Sequence, residues 1–290
     1  MLFVSVSMDL VIRRRAGPAA AAALGALLAL SACGAAGGIG PGPDARVAET
    51  DTDASQDKLT NIASLNEVVR RNPGDASSYN TRGAALARIG RYQDAISDFS
   101  TAVKLDPNSA AAFTNRALAF RQTGRDDAAL NDFSQAIAVK GNYAPAYLGR
   151  GNLLRAQNNL DAARADLDQA IRLNPEGAQA YHARGLIFQR LNQQPQAITD
   201  FDNAIDRDPF TAAPYQARGQ SLTAIGKYDL AIEDFNACLN VNNKNADAWA
   251  ELGLAYEKQG NRAKASESYS RALVVGPGNR LAREGMARVG

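Results

Sequence analysis

Between Ala76 and Ser109 the chain reads ASSYNTRGAALARIGRYQDAISDFSTAVKLDPNS. Two helical patterns lie in this stretch, joined at Gly90-Arg91-Tyr92. Asp106-Pro107-Asn108 stops the second, because a residue that precedes proline avoids the helical region. Moved forward by 34 residues, the stretch matches itself five times. Gly83 recurs as Gly151, Gly185, Gly219 and Gly253, with Ala117 once in its place. The aromatic four residues earlier recurs as Tyr79, Phe113, Tyr147, Tyr181, Tyr215 and Trp249. In the second pattern Ala95, Ala129, Ala163, Ala197, Ala231 and Ala265 share a position. Four residues on come Phe99, Phe133, Leu167, Phe201, Phe235 and Tyr269, then Ala102, Ala136, Ala170, Ala204, Cys238 and Ala272. The period predicts an all-α fold of six helical hairpins, near 76–109, 110–143, 144–177, 178–211, 212–245 and 246–279. Stacked units of this kind share one continuous core, and each touches only its neighbours.

A 34-residue helix–turn–helix unit with these signature positions resembles the tetratricopeptide repeat family. The resemblance implies a right-handed α-solenoid whose first helices line a concave groove for extended or helical peptide segments. It names no activity, since function resides in sites and not in folds. Lys58 to Arg71 reads as the second helix of an incomplete unit, and Arg280 to Val289 as a mostly polar last helix. Both are expected to cap the array, so that residues 58–290 form one repeat domain.

Ahead of the array, Arg13-Arg14-Arg15 precedes an Ala/Leu-rich segment from Ala19 to Leu30, too short to span a bilayer comfortably. Residues 1–32 thus read as a signal peptide, with translation starting at Met1 or Met8. Leu30-Ser31-Ala32-Cys33 resembles the bacterial lipobox, which implies cleavage before Cys33 and acylation of its thiol and new amino group. Two or three acyl chains hold a protein stably at a membrane. The other reading is an ordinary secreted protein with a cysteine near its cleavage site. Gly34 after the cysteine resembles the signal for outer-membrane sorting. Residues 33–57 are rich in glycine, proline and small polar side chains, the composition of a flexible tether.

One feature departs from the usual repeat, in which leucine precedes the glycine. Here that residue is Arg82, Arg116, Arg150, Arg184 and Arg218, and sixteen residues later stand Asp98, Asp132, Asp166, Asp200 and Asp234. In the sixth unit both change together, to Leu252 and Ser268. At 100° per residue each arginine faces its own second helix, which predicts five ion pairs within repeats. A functional arginine ladder is the alternative.

The opposite face of the first helices carries Arg88, Arg121, Arg155 and Arg190, together with Asn152 and His182. The four arginines form either a solvated helix face or a basic stripe that ends at Asp247, Glu257 and Lys258. A stripe fits a protein partner with acidic segments, because guanidinium forks grip carboxylates with two bonds. The lysine and asparagine set of the family's carboxylate-clamp members is not reproduced, since Asn152 stands without lysine partners.

The composition narrows the function class. Removing residues 1–32 takes away three of 32 basic and one of 30 acidic residues, which leaves 29 of each and no bulk charge for nucleic acid. His182 is the one histidine, so a multi-histidine metal site cannot form, and no catalytic triad is expected. No carboxylate pair stands out as an acid/base couple, and Cys238 sits at a packing position. No enzyme, cofactor or metal is expected, and nothing in the sequence sets an oligomeric state. The resemblance implies a lipid-anchored interaction scaffold of the bacterial periplasm, on the outer membrane in preference to the inner. An assembly lipoprotein for a pilus or secretin system is the alternative.

Overall fold

A computed structural model describes residues 62–290, and among these the only regular structure is helical. The first helix, α1, covers 62–71. The first helices of the six hairpins are α2 (Ala76–Arg88), α4 (Ala110–Gln122), α6 (Ala144–Ala156), α8 (Ala178–Arg190), α10 (Ala212–Ala224) and α12 (Ala246–Gln259). Their partners are α3 (Tyr92–Leu105), α5 (Asp126–Val139), α7 (Leu160–Leu173), α9 (Gln194–Arg207), α11 (Tyr228–Val241) and α13 (Arg262–Val275). The last helix is α14 (Arg280–Val289). Each helix packs on its hairpin partner and on the next hairpin, the nearest-neighbour pattern of a solenoid.

Local chemistry sets the turns. In every hairpin one residue just beyond the first helix has positive φ: Gly90, Gly124, Gly226 and Gly260, and also Asn158 and Asn192. Glycine adopts this region without a Cβ penalty, and asparagine is among the few other residues that visit it. The next N–H then reaches back to the helix, as Arg91 N to Leu86 O at 2.9 Å and Gln193 N to Phe188 O at 2.8 Å. These are the six-to-one bonds of a Schellman motif. Between hairpins, Asp106 and Asp208 have the extended backbone expected before Pro107 and Pro209. Lys140 and Asn242 adopt similar angles ahead of Gly141 and Asn243, so proline fixes this corner without being required for it.

Packing explains the signature positions. The six second-helix alanines are fully buried, and Phe99, Phe133, Leu167, Phe201, Phe235 and Tyr269 are at most 1% exposed. A Cβ placed on Gly83 or Gly185 would lie 2.7 or 2.6 Å from the ring of Phe99 or Phe201, so the slot admits no side chain. Ala117 is tolerated because Phe133 takes its space from the following hairpin, where a Cβ on Gly149 would lie 2.3 Å from the ring. Gly285 of α14 makes the same concession to Tyr269.

Candidate partner-binding groove

The inner face of α4, α6 and α8 collects positive charge. Arg121 and Arg155 are half-buried and Arg190 is exposed, and among the described residues none of the three has a hydrogen bond or an ion pair. Arg155 Nε is buried with no partner at all. Burial, and then the charges of Arg121 and Arg190, push the Arg155 pKa down, which places the three guanidiniums within electrostatic reach of one another. His182 lies half-buried beside them, its ring tilted against Phe201 at a centroid distance of 5.9 Å. Burial first, and Arg155 second, bring its pKa down to about 4, so the imidazole is neutral at neutral pH. Asn152 is half-buried and without a hydrogen bond among the described residues. Arg88 is exposed and rims a separate cavity of about 460 Å³. Of the four arginines, Arg121, Arg155 and Arg190 act on one another's charge, and Arg88 lies at this cavity between α2 and α4.

The other half of the groove face is built from amides around a carboxylate. Gln220 Nε2 donates to Glu251 Oε1 at 2.5 Å, and Gln216 Nε2 to Oε2 at 3.0 Å. Asn245 Nδ2 in turn holds Gln216 Oε1 at 2.8 Å, and Gln189 Nε2 donates to Ser221 Oγ at 3.1 Å. Burial lifts the Glu251 pKa to about 7 against the pull of the two glutamines, with Asp247 adding to the rise. No cation contacts this carboxylate among the described residues. Sequence reasoning passed over Glu251. Its signal is the repeat register, where the five matching positions are Thr81, Asn115, Gly149, Ala183 and Ala217.

Family models described as tetratricopeptide repeat match residues 62–109, 80–145, 178–211 and 246–279. One described as TPR repeat matches 151–192 and 219–260. The chain carries tetratricopeptide repeats. No curated protein matches it. Among solved structures it is similar to the APC/C hetero-tetramer Cut9–Hcn1, at 21% identity and a TM-score of 0.71 over 81% of this chain and 46% of that one. It thus spans under half the length of that structure's chain. It is also similar to PilW, a type IV pilus biogenesis factor, at 18% identity and a TM-score of 0.66 over 72% and 97%. YrrB, a TPR protein with an unusual peptide-binding site, matches at 23% identity and a TM-score of 0.55 over 65% and 97%. Identities this low speak for the fold alone.

The arginine at the position before the glycine ties neighbouring helices together. Arg82 Nε and Nη2 grip both oxygens of Asp98 at 2.7 Å. The same fork joins Arg116 to Asp132, Arg150 to Asp166, Arg184 to Asp200 and Arg218 to Asp234 at 2.6–2.9 Å. The remaining Nη1 donates sixteen residues back, into the preceding repeat. Its acceptors are Asn66, Ser100, Ser134, Asp168 and Asp202. Each arginine therefore ties its helix both to its own partner and to the second helix or cap helix before it, a second tie that the sixteen-residue rule by itself did not reveal. The Asp98 hydrogen bond raises the Arg82 pKa, while burial lifts the Asp234 carboxyl above its ordinary range despite Arg218. In the sixth repeat Leu252 is buried, and Ser268 Oγ turns to Lys264 O at 2.8 Å.

Glu257 and Asp247 of the sixth repeat are engaged by α14 and its N-cap. Arg288 donates to Glu257 through Nε at 2.7 Å and Nη2 at 2.9 Å, and Tyr269 Oη donates at 2.6 Å. The Arg288 bond lowers the Glu257 pKa, and the carboxylate is committed to holding the cap. Asp247 likewise accepts from Asn279 at 2.7 Å. Cys238 is buried, and burial raises its thiol pKa, which disfavours a reactive thiolate. Cys33 and the tether lie outside the described residues. Among the described residues, no helix is long and apolar enough to cross a membrane.

Proposed function

We propose that the protein is a non-enzymatic scaffold that recruits a protein partner through the inner groove of its repeats, and that the bound segment is acidic. One observation carries this reading: among the described residues Arg121, Arg155 and Arg190 stand together with no acceptor, and Arg155 Nε is buried without a partner. Desolvated guanidinium donors left unpaired are costly, and a ligand carboxylate relieves the cost with two-bond geometry. The lipobox-like Leu30-Ser31-Ala32-Cys33 supports a lipid anchor, and with it a place at the bacterial envelope facing the periplasm. There the tether of residues 33–57 gives the array reach from the membrane. Likeness in fold to PilW supports a second reading, in which the recruited partner belongs to a pilus or secretin assembly.

The test uses the full chain, extracted in detergent, as bait for envelope proteins. A parallel bait carries glutamate at Arg88, Arg121, Arg155 and Arg190. A partner held by the first bait and lost from the second places binding in the groove, and identical capture by both rejects it. For the anchor, Cys33→Ala is expected to move the protein from the membrane to the soluble fraction. If it stays on the membrane, the lipid reading fails.

A further inference from the structure

The groove has two adjoining parts of different chemistry. Between α2 and α4 the cavity of about 460 Å³ is lined by Ala84, Ala87, Leu118, Ala119 and Phe99 beside Tyr92 and the amides of Asn115 and Gln122, with Arg88 at its rim. Leu118 leaves 42% of its surface exposed there. One helical turn further along α4 stands Arg121, the first of the unpaired trio. One turn back on the same face is Thr114, 3% exposed, with Oγ1 lacking a partner among the described residues. A largely apolar cavity and a cationic cluster without an acceptor among the described residues thus adjoin at α4.

We infer that the groove takes one extended acidic segment at two points, an apolar side chain in the α2–α4 cavity and carboxylates on Arg121, Arg155 and Arg190. The inference rests on the groove reading above and specifies its partner. Charge complementarity selects the acid, because a neutral segment would bury three guanidiniums with nothing to accept their protons. The cavity selects the anchor, because Leu118, Phe99 and the alanines offer an aliphatic side chain contact area beside the amides of Asn115 and Gln122. A nucleic acid fits less well, since bases need exposed rings to stack on and the ring beside the trio, His182, is already against Phe201.

Fluorescence anisotropy with the full chain tests this, using a labelled peptide in which one leucine precedes a run of glutamates. Replacing that leucine by alanine is expected to weaken binding about tenfold, as loss of one buried aliphatic side chain does. The same replacement should change nothing for Ala84→Leu, which fills the cavity, or for Leu118→Ser, whose exposed site tolerates the change. Replacing the glutamates by glutamine is expected to weaken binding about tenfold or more to the parent and little to Arg155→Gln. If glutamates matter and leucine does not, the two-point inference is overturned while the groove reading stands. If neither peptide charge nor Arg155→Gln affects binding, or no binding is seen, both fall. Tighter binding of a single-stranded RNA of similar length would also overturn both.

Discussion

Arg150 shows what a single side chain does in this array. It is one-quarter exposed, yet its partner Asp166 is only 9% exposed, so removing the arginine strands a nearly buried carboxylate. Arg150→Leu is expected to lower stability by about 1–3 kcal/mol, the penalty of an unpaired hydrogen-bonding charge reduced by partial solvation. The sixth repeat supplies the remedy, because Leu252 and Ser268 occupy these positions there without a charge. Arg150→Leu combined with Asp166→Ser should therefore recover most of the loss in a urea titration. A double variant no better than the single one would mean that the arginine acts through its other contacts. Residue-scale packing is equally specific. Gly185→Ala should destabilise by about 1–3 kcal/mol, since its Cβ would lie 2.6 Å from Phe201 in a filled core.

At the scale of the element, the hairpin turn is a unit with one demanding position. Four of the six turns place glycine there, while Asn158 and Asn192 adopt φ of 65° and 58°. Asn158 makes no side-chain hydrogen bond that would confound the test. Asn158→Gly is expected to be neutral within about 0.5 kcal/mol, and Asn158→Ala to cost about 1 kcal/mol, the ordinary penalty for left-handed backbone with a Cβ. Thermal melts followed by circular dichroism would show this order. Equal melts for both would mean that the turn relaxes out of the left-handed region. Much of this element was legible in the sequence, because a fixed period aligns Gly90 with Gly226 and Gly260. The two asparagines were not recognised as its equivalents, since residue type alone does not report φ.

Across the whole molecule, two groove groups titrate in opposite senses. The folded-state pKa of Glu251, about 7, lies above its ordinary 4.5, so the folded chain holds that proton more tightly. Its contribution to stability is complete below pH 4.5 and lost as pH rises to about 7. The folded-state pKa of His182, about 4, lies below 6.5, so its contribution is present above pH 6.5 and lost as pH falls to about 4. Each amounts to on the order of 3 kcal/mol, and over the shared interval they offset one another. Glu251→Gln should give a protein whose stability rises from pH 4 to 6.5, and His182→Gln one whose stability falls from pH 4.5 to 7. Parallel profiles for the two variants would contradict this assignment. Removing α14 acts at the same scale. It uncovers Tyr269 and the buried Ala250 and frees Glu257, so the truncated chain is expected to self-associate in sedimentation.

Period and residue type alone determined the all-α class, the six hairpins, the buried alanine and ring positions and the Arg–Asp pairing. Repetition made them legible: a contact between neighbouring units appears as many times as there are units, always at the same spacing. What the repeat does not copy, the tertiary structure decided. The trio of Arg121, Arg155 and Arg190 arises because helices from three successive repeats converge on one face, and its character rests on the absence of an acceptor. Glu251 has a raised pKa because packing against the preceding repeat buries it, against the pull of Gln216 and Gln220, and Glu257 is engaged by Arg288 of the cap. Charge state and availability depend on burial and on partners far along the chain, and only the packed molecule sets those.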